Sequence, residues 1–157
     1  MALTADIAES WRRPRAVIRR LRARGRSESF VFTLLAIFLV LSVVAAAPDL
    51  SRQAALEQKP LAPYLLGASY GALVFVPVFY LMASVFHLMA RLMGGTGTHY
   101  DGRLALVWAL VTISPVILVL GLARAMAPGL GASLLGLTVF AAFLGFYSVM
   151  LREVESA

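Results

Sequence analysis

Four apolar stretches dominate the chain, from Phe30 to Ala47, Tyr64 to Met89, Leu104 to Met126 and Leu130 to Leu151, with short polar connections between them. Each is close to or above the roughly 20 residues that a helix needs to cross a hydrocarbon core about 30 Å thick. A helix is also the form that satisfies its backbone polar groups without water. The pattern therefore predicts an all-α polytopic membrane protein, with four transmembrane helices bundled over residues 30-157. Residues 1-29 form a separate cytoplasmic segment. There Ile7, Trp11, Pro14, Ile18 and Leu21 recur at helical spacing with arginines on the other faces, which is the pattern of an amphipathic interfacial helix. Thr4 is the expected N-cap, with Asp6 in the first turn. Pro14 either kinks the helix or opens a second one, and Gly25 is a stop signal. Trp11 is expected at headgroup depth. The second span has the longest apolar character, Leu61 to Met93 with no charge before Arg91, so it tilts or protrudes at 1.5 Å per residue.

Composition leaves no room for a sizeable soluble domain, because 61% of the 157 residues are hydrophobic and the mean hydropathy is +0.85. Cysteine is absent, which excludes disulfides, thiolate nucleophiles and cysteine-ligated metals. The net charge of +6 comes largely from eight arginines in residues 1-29, directly before a span. That placement favours anionic membrane lipids as partners and argues against nucleic acid. Arg12, Arg13, Arg15, Arg19, Arg20 and Arg22 are the candidates for contact with lipid headgroups or a partner protein. Setting the topology is the simpler role of the same charges. Placing both termini in the cytoplasm puts 11 basic residues inside and leaves Arg52, Lys59 and Arg124 outside, as the positive-inside rule requires. Ala45-Ala46-Ala47 resembles a leader-cleavage site, but Pro48 follows and the apolar run starts late, so the first span is expected to be retained. An alanine- and arginine-rich chain with one lysine points to a GC-rich bacterial genome and the inner membrane.

Candidate chemistry is sparse. Pro77 and Pro115 interrupt the second and third spans, where Thr112 and Ser114 can bond the freed backbone groups. His87 is the one ionisable group within a span and is expected to pack near its end. His87 and His99 are too far apart for one helix face, and no H-E-x-x-H occurs, so no metal site is expected. The connection from Gly94 to Arg103 is glycine-rich, yet it lacks the G-K-[ST] and the preceding strand of a phosphate loop, and has no serine beside His99 and Asp101. A turn is the expectation. Gly67 and Gly71 in the second span, with Ala141 and Gly145 in the fourth, form small-residue pairs four apart suited to close helix packing, within one protomer or in a homo-oligomer.

The chain resembles the Yip family, the membrane-domain proteins named for eukaryotic members that interact with Ypt/Rab GTPases, and its bacterial branch is the closer likeness. The likeness runs through the amphipathic start with Pro14, the span ending in Gly94-Gly95-x-Gly97, then Tyr100, Leu104 to Ala109 and Ser114-Pro115. Family members commonly have about five spans, against four here, and the Asp-Leu-Tyr-Gly-Pro stretch of eukaryotic members has no counterpart. The resemblance implies a helical membrane protein without catalysis or cofactor, acting as an adaptor or membrane-organising factor. The alternative is a small channel, transporter or lipid-handling protein for a neutral or lipidic substrate, built around Pro77, Ser84, Ser114 and Pro115. A membrane-embedded enzyme ranks last.

Overall fold

A computed structural model describes residues 3–156. They form α1 (Leu3–Ser10), α2 (Pro14–Ala23), α3 (Glu28–Leu56), α4 (Leu61–Leu92), α5 (His99–Met126) and α6 (Leu130–Glu155). The last four are long and apolar enough to cross a membrane. Each is longer than its apolar stretch. The largest difference is at Pro48, expected to open a loop but lying inside α3, which continues to Leu56. Side-chain bonds stitch this extra turn, because Asp49 accepts from Arg52 at 2.9 Å and from Gln53 at 2.8 Å, three and four residues on. At the other end, Thr4 falls inside the first turn of α1 rather than ahead of it.

Helix starts are set locally. Ser27 caps α3 by accepting from the Phe30 amide at 3.3 Å. Thr98 and Asp101 form a capping box at the start of α5. Pro14 occupies the first turn of α2, where its missing N–H costs nothing, so the amphipathic segment is two short helices rather than one.

Burial places α5 at the centre. Of its most apolar stretch 67% is buried inside the protein, against 11% for α4, whose outward face is nearly all exposed. The two helices α3 and α5 run the same way and touch most intimately at Gly121, where an added Cβ would stand 1.9 Å from the Ala45 carbonyl oxygen. Arg103 and Glu28 pair at one end of this couple, while Asp49 and Arg124 lie around one hollow at the other. Between those charges α3 and α5 each hold 20 uncharged residues. From charge to charge that is about 31 Å at the helical rise, close to one hydrocarbon thickness. The end carrying Glu28 and Arg103 is the basic end below.

Candidate functional site

Two structures meet at the basic end: the α1–α2 hairpin and the glycine-rich connection between α4 and α5. The hairpin folds against the side of the bundle. Val17, Ile18 and Leu21 are fully buried on α2, which packs on α6 and α5. At the elbow Ser10 Oγ accepts from Trp108 Nε1 at 3.0 Å and donates to the Asp6 carbonyl at 2.8 Å. Trp11 Nε1 donates to the Thr112 carbonyl at 3.2 Å, and its ring meets Phe146 edge-on with centroids 4.9 Å apart. Trp108 and Thr112 lie five and nine residues beyond Arg103, so the elbow's contacts sit about 8 to 13 Å inward of the charged boundary. From there α2 climbs back until Arg22 reaches Asp101 at 3.1 Å.

The glycine-rich connection cradles the end of α6. Glu155 Oε1 lies 2.6 Å from His87 Nδ1, and both side chains are buried. The same carboxylate accepts from the Gly97 amide at 3.0 Å, and the Glu155 carbonyl accepts from the Thr96 amide at 2.8 Å. Side chains at residues 95 and 97 would collide with Glu155, because added Cβ atoms would approach it to 2.5 and 2.9 Å. Gly94 ends α4 with φ +94°, a conformation that favours glycine. Gly102 lets His87 approach α5, and His87 stands beside His99 with ring centroids 4.4 Å apart. The two histidines come from different helices, so their sequence spacing did not decide their distance. Among the described residues no three ligating side chains converge on a metal position.

Residues 8–155 match the family model described as the Yip1 domain, which takes in both the hairpin elbow and the Glu155 cradle. The chain belongs to the Yip1 family. No curated relative and no solved structure gives a significant match.

Within this Yip1 domain the six arginines expected to face headgroups divide by partner. Arg20 is held by Asp6 at 2.6 Å and Glu9 at 2.7 Å. The Glu9 hydrogen bond is the largest cause of its raised pKa, with Asp6 adding to it. Arg22 pairs with buried Asp101, so Arg20 joins the two arms of the hairpin and Arg22 ties the hairpin to α5. Arg15 and Arg19 share Glu153 at 3.9 and 3.1 Å. Arg12 and Arg13 are exposed and have no acidic partner among the described residues. Partner choice cannot be read from a helical wheel, because each acid lies on another element.

Beside the cradle a cleft of about 670 Å³ separates α4 from α6, with Phe86, Met89, Met93 and Leu151 on its walls and Arg15 and Arg152 at its rim. The small-residue pairs fall elsewhere. Nothing lies within 4 Å of a Cβ added at Gly67, Gly71 or Gly145, and Ala141 is exposed, so these residues do not pack helices together inside the protomer. Close packing uses Gly121 and Gly102, which the four-residue spacing does not single out. Pro77 and Pro115 face outward. Ser114 Oγ donates at 2.8 Å to the Val111 carbonyl, the acceptor that Pro115 leaves without its amide. Tyr100, the remaining family-like residue, is buried with its hydroxyl 3.4 Å from the Gly25 carbonyl.

Proposed function

We propose that this Yip1-family protein is a non-enzymatic membrane adaptor or organising factor. Its basic end rests on anionic lipid in the cytoplasmic leaflet of a bacterial inner membrane, with both termini on that side. One observation carries the reading: of the six arginines without a salt bridge among the described residues, five lie toward one end. Arg12, Arg13, Arg26, Arg91 and Arg152 have no acidic partner among the described residues, and all lie in the half of the molecule nearer the basic end. At the opposite end Arg52 pairs with Asp49 at 2.9 Å and Lys59 with Glu57 at 2.7 Å, which leaves Arg124 alone without a salt bridge there among the described residues. An uncompensated cationic end next to a membrane takes its counter-charge from lipid phosphate, and the same asymmetry sets cytoplasmic orientation. The outward-facing Gly67–Gly71 and Ala141–Gly145 pairs are where a partner helix or a second copy would approach. Outward-facing prolines and the internally bonded Ser114 weigh against a conduction path through the second and third spans.

Native mass spectrometry of the protein released from its own membrane with lipids retained tests the proposal. Retention of anionic lipid, alone or with a partner protein, is expected. Release of the bare chain from a preparation whose other complexes survive overturns it. For the orientation, a reporter fused after Ala157 should be active on the cytoplasmic side.

A further inference from the structure

We infer that the hairpin elbow is a phospholipid site set inside the leaflet, at which Arg12 and Arg13 hold a lipid phosphate below the surrounding headgroup plane. The inference rests on the anionic-lipid reading above and adds a location and a consequence to it. Four lengths bracket the depth of the elbow. Along α5, Trp108 and Thr112 are about 8 and 13 Å inward of Arg103; along α6, Phe146 is about 10 Å inward of Glu153; along α2, Pro14 is about 12 Å inward of Arg22. These contacts are fixed by the Trp11–Thr112 and Trp108–Ser10 hydrogen bonds and the Trp11–Phe146 ring contact. The elbow is therefore anchored about 8 to 13 Å inside the 20-residue uncharged slab, within its nearer half, not resting on its surface.

Two guanidinium groups at that depth are costly without counter-charge or water. Snorkelling shortens their distance to the headgroups, but both leave from the deepest point of the hairpin. The acids of the hairpin and of the facing α6 are already engaged: Asp6 and Glu9 by Arg20, and Glu153 by Arg15 and Arg19. Two adjoining hollows fit the missing ligand. One of about 360 Å³ is lined by Arg12, Arg13, Arg15 and Arg19 with Pro14 and Val149; the other, about 300 Å³, is apolar and lies along Ala142, Gly145, Phe146 and Val149. A phosphate fits the first and the start of an acyl chain the second. Holding a headgroup there draws the lipid surface inward beside α6, a local thinning that α4 at equal depth does not produce because it carries no charge between Leu61 and Ala90.

The test uses the full chain in nanodiscs of mixed phosphatidylglycerol and phosphatidylcholine. Arg12→Gln/Arg13→Gln should weaken phosphatidylglycerol retention, read by native mass spectrometry, roughly thirtyfold, from about fivefold for each arginine. Arg26→Gln/Arg91→Gln removes the same charge from the same end and should have a much smaller effect. All four side chains are exposed and unpaired, so the fold is expected to survive both changes. Spin labels on Ala141→Cys and Val78→Cys, both exposed and both about 18–20 Å inward, give the depth. The Ala141 label should be more accessible to a water-soluble nickel chelate than the Val78 label, and Arg12→Gln/Arg13→Gln should abolish the difference. Equal losses from the two arginine pairs, or equal chelate accessibility at the two labels, overturn this site and leave the anionic-lipid reading standing. A wild-type protein that retains no phosphatidylglycerol removes both.

Discussion

Single residues decide how closely these helices approach, and the physics is that of a bilayer. Lipid tails are as apolar as leucine, so burying one leucine against another gains packing contacts and little transfer from water. Shape at the contact then matters more than buried area. Gly121→Ala would drive its new methyl into the Ala45 backbone and force α3 and α5 apart, at a cost of about 1–3 kcal/mol. Gly67→Ala meets open space and should leave the thermal midpoint in detergent unchanged or slightly raised. Equal midpoints for the two variants would mean that the Gly121 contact does not form. Glu155 is the second such position. Glu155→Ala leaves His87 Nδ1, the Gly97 amide and the loop around them unmet, a loss of about 1–3 kcal/mol. Faster amide exchange at Thr96 and Gly97 in this variant is the expected signature; unchanged exchange would show that the cradle is held by something else.

At the scale of elements, the α1–α2 hairpin depends on burial of one short face and on hydrogen bonds to α5. Ile18 is fully buried in that face. Ile18→Asn should release the hairpin, freeing Trp11 from Thr112 and Phe146 and shifting its emission to the red. Trp108→Phe as background leaves Trp11 as the sole tryptophan, and an unshifted spectrum there would show that the hairpin stays docked. Much of this element was legible beforehand: the helical spacing of Ile18 and Leu21, Pro14 as a helix start and Gly25, with φ +95°, as a stop. Its site of docking was not, because no pattern within residues 1-29 specifies Trp108 or Thr112. Continuation of α3 through Pro48 was missed for a related reason: a proline inside a helix removes one backbone bond, and the Asp49 side-chain bonds that carry the chain onward outweigh its usual role as a breaker.

Across the whole molecule α5 is the common wall on which α1, α2, α3, α4 and α6 all pack. Trp108 sits at its buried centre and also bonds the hairpin through Ser10. Trp108→Ala should therefore loosen the assembly as a unit, costing about 3–5 kcal/mol of stability and lowering the thermal midpoint more than any other substitution considered. Loss confined to the hairpin, with an intact transition for the four long helices, would contradict that central role. The division of charge is also a property of the whole. Fourteen basic residues are present, and the fold neutralises some at each end while leaving five arginines free toward the basic end and Arg124 free at the other.

The sequence by itself determined the number of long helices, the apolar centre of each and the concentration of arginine before the first of them. Those features answer to local rules: the length of an apolar run against the membrane thickness, and the capping chemistry of neighbouring residues. Only the tertiary structure decided that α5 lies inside, that the hairpin elbow reaches the middle of α5, which arginines keep their charge free, and that His87 meets Glu155. Those outcomes join residues far apart in the chain, 101 positions for Trp11 and Thr112 and 68 for His87 and Glu155, and short-range periodicity carries no information across such separations.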